Sequence, residues 1–127
     1  MKICMIGTGY VGLVSGTCFA DLGNKVYCVD KDKSKINKLK KAISPIYEPG
    51  LEDLIRNNLR AKWLIFTDDL KKAIQDSKII FICVGTPTKK GSNLVDLSQV
   101  YSVTKSISKY IKSYKIRTYN FKIPIKD

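Results

Sequence analysis

The 127-residue chain predicts a doubly wound α/β fold on a parallel sheet. Short apolar runs alternate with amphipathic helical segments along the whole sequence. A glycine-rich turn follows the first apolar run directly, and no linker, internal repeat or low-complexity stretch divides the chain. The length suits one domain. Apolar residues at 44% and charged residues at 27% fit a globular chain and not a disordered one.

The elements follow in order. Residues 2 to 6 (Lys-Ile-Cys-Met-Ile) form a compact apolar run ended by glycine, as in a strand buried on both faces. A helix is expected from Tyr10 to Leu22, with Val11, Val14, Cys18 and Leu22 on one face and Gly23 as its stop. Val26–Val29 reads as the second strand. Asp32 can cap a helix running to about Ala42, with Ile36, Leu39 and Ile43 at helical spacing, and Pro45 ends it. Pro49-Gly50 opens a further helix with Leu51, Leu54, Ile55 and Leu59 as its stripe. Leu64–Phe66 is a brief strand, and Thr67 is placed to cap a helix holding Leu70, Ala73 and Ile74. Ile79–Val84 is the most apolar strand, followed by a loop to Asn93 and a helix from about Asp96 to Ser113.

Composition removes several function classes. Histidine is absent, which excludes Ser/His/Asp and Cys/His nucleophilic schemes and any histidine metal ligand. Cys4, Cys18, Cys28 and Cys83 form no C-x-x-C pair, so neither a zinc site nor a redox motif is indicated. Cys4, Cys28 and Cys83 lie in apolar runs and read as buried core residues, a reduced and cytoplasmic pattern. Glycines and Ser15 interrupt the N-terminal apolar stretch, so it is not read as a signal peptide, and no run of 18 apolar residues marks a membrane span. The net charge of +12 fits nucleic acid, an anionic surface or a phosphate-bearing ligand. Twenty of the 23 basic residues are lysines spread along the chain beside 16 isoleucines and 7 tyrosines. These residue types have A+T-rich codons, so codon bias accounts for much of the charge and a nucleic-acid role is disfavoured.

Gly7-Thr8-Gly9-Tyr10-Val11-Gly12 is a G-x-G-x-x-G sequence that leaves a strand and opens a helix, the context that gives this motif its force. The first glycine permits the tight turn, the second lets backbone approach a pyrophosphate, and the third lets helix and sheet pack closely. The helix N-terminus adds free N–H groups and partial positive charge. Asp30 ends the second strand 18 residues after Gly12. A carboxylate there can accept from both hydroxyls of an adenosine ribose and would repel a 2′-phosphate, which favours NAD over NADP as cofactor. Lys31, Lys33 and Lys35 soften that preference. The alternative is a structural glycine turn with Asp30 merely solvated.

The sequence from Lys2 to Gly16 closely resembles the start of the UDP-glucose 6-dehydrogenases, within a wider group that includes GDP-mannose dehydrogenases. Three further blocks match in order: Val29-Asp30-Lys31 with Lys35; Pro45-Ile46-Tyr47-Glu48-Pro49-Gly50-Leu51; and Phe81-Ile82-Cys83-Val84-Gly85-Thr86-Pro87-Thr88. The resemblance implies a Rossmann-type fold and NAD-dependent oxidation of UDP-glucose to UDP-glucuronate. It implies that Gly7, Gly9 and Gly12 hold the pyrophosphate, with Tyr10 and Val11 lining the cofactor site. Asp30 and Lys35 would address the adenosine side, and Gly85, Thr86 and Pro87 would lie against the cofactor. Ligands of open α/β sheets bind beyond the carboxyl ends of strands, which agrees with that last placement; an ordinary strand-exit turn is the alternative. The Tyr47–Leu51 block reads as structural, with Pro and Gly as helix-entry chemistry and no role for Glu48.

Family members are several hundred residues long, and the resemblance places their catalytic cysteine, lysine and aspartate in a second, substrate-binding domain absent here. No catalytic role therefore passes to any cysteine of this chain. The dinucleotide-binding domain is expected over residues 1–115, with 116–127 as a divergent tail. There Tyr119, Phe121, Ile123 and Ile125 alternate with polar residues and Pro124 confines the segment to an edge or terminus. This abrupt loss of match reads as a truncated or frameshifted gene copy. The leading expectation is thus the NAD-binding half of a nucleotide-sugar dehydrogenase, engaging UDP-glucose only if the second domain is supplied, with no membrane partner and with a homo-oligomer left open. A stand-alone NAD-binding or partner-binding module is the alternative, and a basic nucleic-acid binder a more distant one.

Overall fold

The computed structural model describes residues 1–119, so the expected alternation beyond Tyr119, Pro124 included, lies outside the described residues. The elements are β1 (Lys2–Ile6), α1 (Tyr10–Asp21), β2 (Lys25–Val29), α2 (Lys33–Leu39), α3 (Leu51–Arg60), β3 (Leu64–Thr67), α4 (Leu70–Asp76), β4 (Ile79–Ile82), α5 (Ser98–Tyr110) and β5 (Ile116–Tyr119). The strands lie in the order β3-β2-β1-β4-β5, and every neighbouring pair is parallel. The doubly wound fold expected from the sequence is the fold observed.

Alternation along each strand builds two cores. Ile3, Met5, Val26, Cys28, Leu64 and Phe66 pack with Leu13, Ala20, Ile36, Leu39, Leu51 and Ile55 of α1, α2 and α3. Cys4, Ile6, Tyr27, Val29, Ile80 and Ile82 point the other way, against Ala73 and Ile74 of α4 and Ile107 of α5. A sheet buried on both faces explains why its strands read as continuous apolar runs.

The register sets up the site. Ile6 pairs with Val29 on one side and Ile82 on the other, so β1, β2 and β4 end level. The chain turns to opposite sides of β1 to reach β2 and β4, which makes the β1/β4 boundary the switch point where such sheets leave a crevice.

Several local expectations are corrected. The buried face of α1 is Gly12, Leu13, Gly16, Thr17 and Ala20, whereas Cys18 and Leu22 are exposed and Val11 and Val14 half-buried. Close packing is the reason: a Cβ at Gly16 would stand 2.7 Å from Cys28 Sγ and 3.1 Å from Met5 Cγ, so small residues let α1 lie against β1 and β2. The Asp32 cap forms, its carboxylate accepting from Lys35 N–H at 3.1 Å, but α2 stops at Leu39 and Ala42 rather than Ile43 is buried. The cap of α4 is Asp69, accepting from Lys72 N–H at 3.0 Å, while Thr67 Oγ1 accepts from Asp69 N–H. β4 stops at Ile82 and α5 spans fewer residues than expected. Residues 116–119, assigned from the sequence to a tail, pair in parallel with β4 as an outer strand. Lys115 helps seat them by donating to the carbonyls of Gln75 (3.1 Å) and Ser77 (2.6 Å) at the C-terminal end of α4.

Candidate functional site

A cleft of about 1100 Å³ opens at the carboxyl edge of β1, β2 and β4. Every site residue expected from the sequence except Gly12 lines it: Gly7, Gly9, Tyr10, Val11, Asp30, Lys35, Gly85, Thr86 and Pro87. Gly12 sits one layer beneath, where it controls the turn.

The three glycines do three different jobs. Gly7 has φ +104°, its N–H donates to Val29 carbonyl at 2.8 Å, and a Cβ there would meet Cys83 carbonyl oxygen at 2.6 Å. Only glycine accepts that turn against the β4 exit. A Cβ at Gly12 would fall on Gly7 carbonyl oxygen and within 3.3 Å of Cys83 Cβ, so its lack of a side chain lets α1 begin directly on the loop. Gly9 is the opposite case: it is the N-cap of α1, makes no side-chain cap bond, and has nothing within 4 Å of the position a Cβ would take. Open space over an uncapped helix N-terminus is where an anion can approach backbone N–H groups.

Asp30 is fixed at the tip of β2. Its Oδ2 accepts from Thr8 hydroxyl at 2.6 Å and Thr8 N–H at 3.1 Å, and its Oδ1 accepts from Asp32 N–H at 3.0 Å. Lys35 Nζ stands 3.7 Å from Oδ2. Burial pushes the carboxyl pKa up, but the Thr8 and Asp32 bonds and the Lys35 charge outweigh it and hold the pKa below the ordinary value. Three of roughly four acceptor positions on the carboxylate are filled within the chain, leaving one, on Oδ1, for a ligand hydroxyl.

Thr8 escaped the sequence reading because an "x" of G-x-G-x-x-G carries no signal of its own. Its side chain is fully buried and ties the glycine loop to β2. The wall contributed by α5 was missed for a related reason. Ser98, Gln99, Ser102, Val103 and Ser106 face the cleft at three- and four-residue spacing, but the spacing is visible in a serine-rich helix only once the cleft is known. Glu48 accepts from Tyr10 hydroxyl at 3.2 Å, which gives the Tyr47–Leu51 block a contact to the cleft rim and raises the Tyr10 pKa. On the β4 side, Asp96 N–H donates to Pro87 carbonyl at 2.7 Å, anchoring the loop that carries Gly85, Thr86 and Pro87.

The buried thiols are poor nucleophiles. Burial holds Cys4 at about 12 and Cys83 at about 11, and pushes Cys28 up as well. Among the described residues no group of three metal-ligating side chains gathers, and no helix is long and apolar enough to cross a membrane.

Comparison with known proteins gives this geometry its context. The model of the UDP-glucose/GDP-mannose dehydrogenase family, NAD binding domain, matches residues 1–126. The chain belongs to this family. The match continues past residue 115, the end expected for the dinucleotide-binding domain. UDP-glucose 6-dehydrogenase of Rhizobium meliloti is 49% identical over 98% of this chain, and UDP-glucose 6-dehydrogenase TuaD of Bacillus subtilis is 50% identical over 98%. The chain spans 29% and 27% of the length of those two relatives. Among solved structures, GDP-mannose dehydrogenase from Pseudomonas aeruginosa superposes with a TM-score of 0.92 at 38% identity, covering 97% of this chain and 29% of that one. NAD is the cofactor of the domain that the family model describes. The residues round the cleft fit it, with an open helix N-terminus for a pyrophosphate and an ionised carboxylate one strand away.

Proposed function

We propose that this cleft binds NAD, with the Gly7–Gly12 turn and the first turn of α1 holding the pyrophosphate. One adenosine ribose hydroxyl donates to Asp30 Oδ1, with Lys35 beside it, and Gly85, Thr86 and Pro87 lie along the cofactor toward its reactive ring. The observation that carries this reading is the level ending of β1, β2 and β4. It sets the open cap at Gly9 and the fixed carboxylate of Asp30 on one edge of one cleft. The glycine turn supplies backbone donors, Asp30 supplies an acceptor and repels a 2′-phosphate, and Val11, Val84 and Val103 add apolar surface to the cleft wall.

We further propose that the reaction served is oxidation of a nucleotide sugar, with UDP-glucose favoured over GDP-mannose. The two curated relatives near 50% identity are UDP-glucose 6-dehydrogenases, against 38% for the GDP-mannose dehydrogenase structure. When bound, NAD accepts hydride from the alcohol carbon of the sugar. Groups that bring sugar and nucleophile to it belong, on this reading, to the remaining length of such relatives. Calorimetry of the 127-residue chain with NAD, NADP and UDP-glucose tests both parts. NAD is expected to bind most tightly, NADP more weakly, and UDP-glucose without resolved heat. Equal binding of NAD and NADP would remove the role given to Asp30. Binding that collapses steeply with salt would return the basic surface as the explanation.

A further inference from the structure

Resting on that cofactor reading, we infer that Thr8 is a positioning residue that sets cofactor preference by holding the Asp30 carboxylate in a fixed aim. Thr8 never needs to touch the ligand to do so. Its hydroxyl and its N–H both converge on Oδ2, at 2.6 and 3.1 Å, from a side chain with no solvent exposure. Asp32 N–H takes one position on Oδ1. The carboxylate is thereby held from both ends, on a residue that lines the cleft.

Two consequences follow from losing the hydroxyl. The carboxylate gains a free position on Oδ2 and can rotate, so the fixed aim toward a ribose hydroxyl is lost. A carboxylate free to turn aside also no longer holds its charge where a 2′-phosphate would lie, so the repulsion expected there weakens. Both effects act against NAD relative to NADP. The other charged groups lining the cleft are Lys35, at 3.7 Å from Asp30 on α2, and Lys31 and Asp68. A Thr8 substitution leaves these in place. Serine at position 8 can restore the bond, whereas valine matches the shape of threonine without it.

The experiment compares the full 127-residue chain with Thr8→Val and Thr8→Ser. The Asp30 carboxyl is titrated by carbon NMR without ligand, and affinities for NAD and NADP are measured by calorimetry. Thr8→Val is expected to raise the Asp30 pKa, weaken NAD binding roughly tenfold, the equivalent of about 1.4 kcal/mol, and leave NADP binding unchanged or tighter. Thr8→Ser is expected to return both readouts toward wild type. Should valine prevent folding, Thr8→Ala replaces it in the same comparison. An unmoved Asp30 titration, or equal losses for both cofactors that serine does not rescue, would overturn the inference and leave Thr8 as loop packing. Failure of the wild-type chain to bind NAD would instead overturn the cofactor reading, and the preference assigned to Thr8 with it. The ligand-free titration separates that failure from a failure of the Thr8–Asp30 coupling.

Discussion

Alanine at Gly9 and alanine at Gly12 separate the ligand-facing part of the loop from its structural part. Gly9 has φ −73° and ψ −169°, an extended conformation open to alanine, and its Cβ would meet nothing within 4 Å. Gly9→Ala should therefore fold with stability within about 0.5 kcal/mol of wild type. The new methyl nonetheless stands over the N-terminus of α1, where a pyrophosphate must approach the N–H groups. Displacing one charge-assisted hydrogen bond costs about 1.5–3 kcal/mol, which lowers NAD affinity roughly ten- to hundredfold. Gly12→Ala reverses the pattern. Its Cβ falls on the carbonyl oxygen of Gly7 and approaches Gly7 carbonyl carbon at 3.0 Å, both backbone atoms that cannot move aside cheaply. Overpacking of this kind costs at least about 1–3 kcal/mol, or roughly 4 °C of Tm per kcal/mol. Thermal melts and NAD calorimetry on the two variants give the test. If Gly9→Ala binds NAD as wild type does, the pyrophosphate is not at this turn and the reasoning fails.

Asp30→Ala removes three internal hydrogen-bond acceptances and leaves the buried Thr8 hydroxyl without its partner, so chemical denaturation should show a loss of about 1–3 kcal/mol together with weaker NAD binding. Because the Asp30 pKa is lowered in the folded chain, its contribution to stability is present above the ordinary carboxylate pKa and is lost as pH falls through the folded value. Denaturation midpoints below about pH 4 should accordingly fall more steeply for wild type than for Asp30→Asn; parallel curves would count against the coupling. A thiol reagent at neutral pH should modify Cys18 alone in the folded chain and all four cysteines after unfolding, since Cys4, Cys28 and Cys83 are buried. Rapid labelling of Cys83 in the folded state would mean that the loop after β4 opens far more than its packing allows.

Signals local in sequence were legible, and signals made by packing were not. The strands stood out because a sheet buried on both faces demands unbroken apolar runs. The glycine turn stood out because Gly7 and Gly12 each answer a steric demand from the backbone beside them. Asp30 could be placed from its position at the end of β2, but its partners could not, since Thr8 lies 22 residues away along the chain. The face of α1 was misread for a physical reason. Apolar periodicity picked Val11, Val14, Cys18 and Leu22, while the interface is made by small residues whose value lies in the volume they lack. The cap of α4 moved from Thr67 to Asp69 because both can cap and only the geometry of the turn decides between them. The serine-lined wall of α5 carries no composition signal for binding at all.

Chemical-shift mapping of the backbone amides with NAD tests the central claim most directly. The largest changes are expected at Gly9, Tyr10 and Val11 on the opening of α1, at Asp30 and Lys31 beyond β2, and at Gly85 and Thr86 beyond β4. Lesser changes are expected along the Ser98–Ser106 face, and little should change at Lys25, Lys62 or Lys72. Small shifts scattered over the lysine-rich surface, with the Gly9–Val11 amides unmoved at saturating NAD, would contradict it.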